Sequence, residues 1–306
     1  QTVLVTGGSA GIGRINVRQF AALGAKVYVL GRNRGKTERV IDSIKKETGS
    51  QSIFFIPFDG NDLKSVADAA NMFLKKESIL NILVCNAGAA TPAQPSNKDG
   101  FETLWCTNYL SHFLLTHLLL DTLKRTAKLQ GNTPGCVRII NVSSMASEAL
   151  APLDWSTIHN PSNPALLNVP QFTAYARSKL AQVLSTIHLA RLLNGTNIAV
   201  HSLHPGAVTT DIWTPTLEKG ARADAGWLDR VSAVGVAAWK STFMITEEQG
   251  SLTTLYCATA KEAGVQSGAF FDDCRARRNL NGAVSNDALI EALFEKSMEW
   301  VKPYFS

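Results

Sequence analysis

The chain has 306 residues, a formal net charge of +5, 45% hydrophobic and 18% charged residues, which fits one large α/β domain or two smaller ones with a substantial core. So mild a positive charge, scattered along the chain, gives no reason to expect nucleic acid as a partner. Five cysteines, at 85, 106, 136, 257 and 274, show no paired short spacing, which argues for a reducing compartment with neither a disulfide framework nor a zinc site.

The sequence opens at Gln1 and enters the apolar run Val3–Thr6, a buried parallel strand in expectation. An upstream leader or anchor stays open at this end. The run leads into Gly7-Gly-Ser9-Ala-Gly11-Ile12-Gly13 and then the helical pattern Val17, Phe20, Ala21, Leu23. Strand, glycine turn and helix form the dinucleotide layout, in which small residues let the backbone approach a pyrophosphate that the helix N-terminus then meets. The second strand, Lys26–Leu30, ends at Gly31-Arg32-Asn33-Arg34. Where an acid would grip a ribose 2′-hydroxyl there is glycine beside arginine, which favours a 2′-phosphate and hence NADP(H) over NAD(H). Arg32 is the first candidate and Arg34 the second; the plain alternative is that both are solvated at the start of a helix over Lys36–Lys46.

A third strand, Ser52–Pro57, delivers Phe58-Asp59-Gly60; a helix over Leu63–Lys76 returns the chain to a fourth strand, Leu80–Cys85, ending in Asn86-Ala87-Gly88. From Gly100 to Lys128 the spacing predicts one long helix containing Asn108, whose amide is either exposed or buried with partners. His112 and His117 in it read as packing or solvated residues rather than metal ligands, and its apolar run, Phe113–Leu120, is too short to span a bilayer. A fifth strand, Val137–Val142, ends at Ser143-Ser144, where substrates bind in open α/β sheets. A long segment with Asp154, Trp155, Pro161, Pro164 and Pro170 follows as a loop insertion at the mouth of the site.

The next helix carries Tyr175-Ala-Arg-Ser-Lys179 and runs to Leu193. A phenol and an ammonium four residues apart share one helix face, so the cation is expected to lower the tyrosine's pKa and make it a usable general acid or base. Many amphipathic helices carry this pair by chance. A sixth strand, Asn197–Leu203, ends at His204-Pro205-Gly206. The aromatic and apolar stripe at about 211–246, with Trp213, Trp227 and Trp239, reads as packing, with peripheral membrane contact as a further reading. Arg275-Ala-Arg-Arg278 reads as a solvated loop, Gly268–Phe271 as the last strand and Asp287–Val301 as the last helix.

Together, Thr6-Gly-Gly-Ser-Ala-Gly-Ile-Gly13, Asn86-Ala-Gly88, Asn108, Val142-Ser-Ser144, Tyr175-x-x-x-Lys179 and Pro205-Gly-Ala-Val-Thr-Thr210 resemble, in order, the markers of the short-chain dehydrogenase/reductase family. Within it, Ala174–Ala181 and His204-Pro205-Gly206 are most similar to the retinol dehydrogenase and WW-domain oxidoreductase group. The resemblance implies a single doubly wound Rossmann domain with a mostly parallel seven-stranded sheet. It also implies an NADP(H)-dependent carbonyl reductase or alcohol dehydrogenase, and, because the segment after the sixth strand covers the substrate in this family, the stripe at about 211–246 becomes a hydrophobic lid over an apolar substrate such as a retinoid, steroid or lipid-derived compound.

By the same resemblance Asn108, Ser144, Tyr175 and Lys179 are a catalytic tetrad. Ser144 polarises the substrate oxygen, Tyr175 exchanges its proton, Lys179 holds the ribose and Asn108 fixes a relay water, with Ser143 the near alternative to Ser144. Asp59 and Gly60 meet the adenine, Asn86, Ala87 and Gly88 line the ribose side, and Val208 with Thr210, after Pro205 and Gly206, hold the nicotinamide carboxamide. Relatives pair subunits through the helices carrying Asn108 and Tyr175, so a homodimer is an expectation. The expected location is the cytoplasm or the cytoplasmic face of an organelle membrane. Two departures stand out: Gly60 where the family often has leucine, and a longer spacer between Ser144 and Tyr175. The rival readings are a silent NADP(H)-binding regulatory protein, which would need the glycine loop but not Tyr175, and sugar-nucleotide chemistry on a related fold.

Overall fold

The computed structural model describes residues 1–92, 94–131, 133–159, 170–208 and 244–305. Seven strands in it run parallel: β1 (Thr2–Thr6), β2 (Lys26–Gly31), β3 (Ile53–Pro57), β4 (Ile82–Cys85), β5 (Val137–Val142), β6 (Ile198–His204) and β7 (Phe270–Asp272). An eighth, β8 (Arg275–Arg277), pairs antiparallel with β7, and the sheet order is β3-β2-β1-β4-β5-β6-β7-β8. The order reverses beside β1, so a crevice opens between the carboxyl ends of β1 and β4, where such sheets hold ligands.

Helices cover both faces, which is why β1, β5 and β6 are buried along their whole length. On one side α1 (Gly11–Ala22), α2 (Arg34–Thr48), α8 (Glu247–Thr259) and the short α9 (Lys261–Gly264) pack Val17, Phe20, Ile41 and Cys257 against Val3, Val5, Val27 and Val29. On the other, α3 (Leu63–Leu74), α5 (Ser111–Leu118), α6 (Leu120–Leu129) and α7 (Gln171–Leu192) pack Phe73, Leu114, Leu123 and Leu184 against Leu4, Leu30, Leu83 and Val200. The last helix, α10 (Asp287–Val301), completes that layer. No helix among the described residues is long and apolar enough to cross a membrane.

Three expectations need correction. The sheet has eight strands rather than seven, and the last is the arginine cluster read as a loop. Arg277 is held there by Asp272 at 3.0 Å and by Glu148, which lies far away in sequence, so nothing in the local charge run signals the pairing.

The single long helix from Gly100 is a series. A short turn, α4 (Thr103–Trp105), is capped by Glu102, and a π turn at Cys106–Leu110 precedes α5. Apolar spacing alone does not reveal a π turn, which redirects the local carbonyls at Asn108. Beside the helices expected to pair subunits, Phe294 of α10 stacks on His188 of α7 at 3.9 Å between ring centres, and Ser297 meets Tyr109 at 2.7 Å, so this chain's own last helix packs on part of that face.

Candidate active site

At the carboxyl end of β1 the chain turns at Gly7 with φ of 68°, a conformation glycine takes without strain. Gly13 is required by contact: a Cβ there would lie 2.4 Å from the Gly7 carbonyl oxygen and 2.5 Å from Asn86 Nδ2. Asn86 Nδ2 donates to the Thr6 carbonyl at 2.9 Å, and the Asn86 and Ala87 amides donate to Thr6 Oγ1, each at 2.9 Å. The loops after β1 and β4 are thereby tied together. The N-cap residue of α1, Ala10, offers no side-chain cap, and no acid sits in the first turn. The amides of Gly11, Ile12 and Gly13 and the positive end of the helix dipole therefore stand ready for an anion.

A Cβ added at Gly31 would come 3.7 Å from Ser9 Oγ, which places the glycine loop beside the end of β2. The two arginines there differ in kind. Arg32 is exposed and makes no hydrogen bond or ion pair among the described residues, whereas Arg34 pairs with Glu38 at 2.8 Å and lies over the Phe55 ring. After β3, Asp59 Oδ1 accepts from the Asn61 amide at 2.9 Å, and a Cβ at Gly60 would be 3.2 Å from the Thr107 carbonyl oxygen, a close approach that leucine would crowd.

On the other side of the crevice α7 presents Tyr175 and Lys179 on one face, with the Lys179 Nζ 5.8 Å from the Tyr175 ring centre. Lys179 is buried and donates to the Val142 carbonyl at 2.8 Å and to Gln182 Oε1 at 3.1 Å. Ser144 caps the turn that follows β5 by accepting from the Ala146 amide at 3.2 Å, and its hydroxyl lies near enough to Tyr175 to pull the phenol's pKa down. Ser143 is turned away and donates to the Lys179 carbonyl at 2.8 Å. A Cβ at Gly88 would lie 3.4 Å from Asn108 Oδ1 and 3.5 Å from Lys179 Nζ, so the β4 loop closes on the same spot.

Asn108 is fully buried with partners: Nδ2 donates to the Ala89 carbonyl at 2.9 Å and to Ser178 Oγ at 3.0 Å, and Oδ1 accepts from the Ala89 amide at 2.8 Å. Its carbonyl accepts from Gln182 Nε2 and meets His112 Nδ1, both at 2.9 Å. The Asn108 carbonyl can only accept, so His112 Nδ1 donates to it, and Nε2 faces Thr6 Oγ1 at 2.9 Å. That makes Nε2 an acceptor and Nδ1 the protonated nitrogen, and burial keeps the ring neutral by pushing its pKa down to about 4.

The electrostatics depart from the expectation that Lys179 acidifies Tyr175. Burial raises the Tyr175 pKa, and the group that pulls it back is Ser144. Burial also pushes Lys179 down to about 7. Two desolvated groups sit side by side, and the serine hydroxyl does the tuning assigned to the cation.

Several supporting residues escape the sequence reading. Gln182 and His112 lie three residues after Lys179 and four after Asn108, a helical spacing that is a usable signal. Arg177, between Tyr175 and Lys179, is buried and donates to Thr157 Oγ1 at 2.8 Å and the Thr157 carbonyl at 2.7 Å, pinning the turn Trp155–Thr157 of the insertion to α7. His204 Nδ1 accepts from the Met145 amide at 3.2 Å, and Asn281 Nδ2 reaches the Ser147 and Ala149 carbonyls, so β6 and the C-terminal arm both brace the turn after Ser144. Past Pro205, Gly206 lies beneath Ile245, and Val208 forms a parallel bridge with that residue. Thr210, Pro161, Pro164 and nearly all of the 211–246 segment lie outside the described residues.

The model of the short chain dehydrogenase family matches residues 1–154. An oxidoreductase of Schizosaccharomyces pombe is 38% identical, over 96% of this chain and 83% of its own length. Human retinol dehydrogenase 11 is 33% identical, over 98% of this chain and 85% of its own. Among solved structures, an NADPH-bound carbonyl reductase from chicken fatty liver superposes with a TM-score of 0.60 at 24% identity, covering 89% of this chain and 96% of that one.

Proposed function

The chain belongs to the short-chain dehydrogenase/reductase family, and from that membership we propose that it interconverts an apolar carbonyl and its alcohol with NADP(H). The observation that carries this reading is the Ser144–Tyr175 hydroxyl pair beside Lys179, at the mouth of a glycine-lined crevice. When bound, NADP(H) supplies or accepts hydride. The remaining chemistry falls to side chains. Ser144 donates to the substrate oxygen while Tyr175 gives it a proton in the reducing direction and takes one in the oxidising direction. A raised Tyr175 pKa keeps the phenol protonated at neutral pH, which suits reduction.

The residues fit the cofactor. The uncapped amides of Gly11, Ile12 and Gly13 would hold the pyrophosphate, and Arg32, uncommitted and beside the Gly31–Ser9 contact, would hold the 2′-phosphate. Asp59 would meet the adenine, Lys179 and the Asn86–Gly88 loop the ribose, and Val208 and Thr210 the carboxamide. The apolar substrate class draws on the kinship with retinol dehydrogenase 11 and on the aromatic residues of the 211–246 segment, which would cover the substrate. A silent cofactor-binding protein leaves the Ser144–Tyr175 pair without a task.

The test compares wild type with Tyr175→Phe in NADPH-dependent reduction of all-trans-retinal. Loss of about 10²-fold or more in kcat/KM with NADPH affinity retained is the expected result. No turnover by wild type on retinal or on other apolar carbonyls would overturn the reading.

A further inference from the structure

We propose that Gln182 is a positioning residue of this active site: its amide bridges Lys179 to the Asn108 carbonyl and sets where the lysine sits and how readily it carries its proton. The side chain is 2% exposed, with Oε1 3.1 Å from Lys179 Nζ and Nε2 2.9 Å from the Asn108 carbonyl oxygen. Chemistry fixes the direction of the amide. An ammonium only donates and a carbonyl only accepts, so a flipped amide would set donor against donor and acceptor against acceptor.

Lys179 has three donors, and two are committed, to Val142 and to Gln182. The ionisable side chains facing it are Tyr175 on its own helix and His112 on α5, and among the described residues no carboxylate opposes it. Gln182 is thus the side-chain acceptor that favours the ammonium, against a burial that opposes it. Gln182 also lines a small cavity of about 10 Å³ with His112, Asn141 and Ser185. Removing the amide should lower the lysine's pKa, because the charged form loses a hydrogen bond. A carboxylate in its place should raise it, because the charged form gains a counter-ion.

The proposal rests on reading Lys179 as part of the active site, but its test needs no turnover. Protein labelled with ¹³C-lysine, without cofactor or substrate, is titrated by NMR, and the Lys179 Cε signal is assigned through Lys179→Arg. The expected midpoints are near 7 for wild type, lower for Gln182→Leu and higher for Gln182→Glu, each displaced by at least about half a pH unit. Gln182→Glu keeps the size and polarity of the side chain and serves if the leucine variant does not fold. Coincident midpoints, or displacement of the folded variants in the opposite sense, would overturn the proposal. If the midpoints move as expected but wild type turns over no carbonyl, the inference stands and the enzymatic reading fails.

Discussion

Ser144 lies beside Tyr175 and lowers its pKa, while Ser143, one residue earlier, gives its proton to the Lys179 carbonyl. Adjacent serines on one strand end have therefore been separated by the alternation of the chain, one toward the crevice and one toward α7. Ser144→Ala should lower kcat/KM by about 10²-fold or more, since it removes both the donor to a developing oxyanion and the group that lowers the Tyr175 pKa. Ser143→Ala should cost about 1 kcal/mol of stability and change kcat/KM by no more than about threefold. Steady-state kinetics and thermal melts on the two variants check this, and a larger kinetic loss in the Ser143 variant would reverse the assignment.

Arg32 and Arg34 differ in a way that assays can read. Arg34 is engaged by Glu38 at 2.8 Å and by the Phe55 ring, whereas Arg32 has its guanidinium uncommitted. Arg32→Ala should reduce the NADPH-to-NADH ratio of kcat/KM by about 10- to 100-fold, the effect of losing one charge-assisted hydrogen bond. Arg34→Ala should leave that ratio within about threefold. An unchanged ratio in the Arg32 variant removes this residue from the 2′-phosphate site.

Gly13→Ala tests the crevice itself. Its methyl would press on the Gly7 carbonyl and on Asn86 Nδ2, the amide that joins the β1 and β4 loops, so relief of the clash must open the anion site. Such overpacking costs about 1–3 kcal/mol, and NADPH affinity measured by fluorescence should fall by about tenfold or more. Gly282→Ala, with nothing within 4 Å of the added methyl, is the matched control and should bind as wild type does.

How far the chain can be read without coordinates depends on how local each cause is. Strand cores such as Val137–Val142 and the helix Asp287–Val301 follow from runs and spacings a few residues long, and they fall where the sequence puts them. Ser144 and the glycine loop are legible because each sits just past a strand end, and Tyr175 with Lys179 because the two stand one helical turn apart. What escapes is set by partners distant in sequence. The pairing of β8 needs Glu148, the hydrogen bond at His112 Nε2 needs Thr6, and the covering of Tyr109 and His188 needs α10. The direction of the Tyr175 pKa belongs to the same class: helix spacing brings the lysine near, but burial, which spacing does not report, decides the sign.

Burial also makes two histidines acid-sensitive. His112 and His201 are both pushed from an ordinary 6.5 down to about 4, mainly by desolvation. For His201 the geometry explains why. Its Nε2 donates to the Ala263 carbonyl at 2.9 Å, its Nδ1 has no partner among the described residues, and the Arg138 charge further opposes a second proton. A depressed folded pKa means that the unfolded state binds protons first as the pH falls. Full stability is therefore present above 6.5 and is lost progressively down to about 4, by an amount on the order of 3 kcal/mol for each ring. The melting temperature should accordingly fall steeply between pH 6.5 and 4.5. His201→Gln keeps a donor for Ala263 and has no titrating nitrogen, so it should show a visibly shallower fall over that interval while His112 continues to contribute. A pH dependence of the melting temperature identical to wild type would show that His201 is not what acid attacks, and would move the cause to His112 or to Glu148, whose carboxyl Arg277 helps hold below its ordinary value.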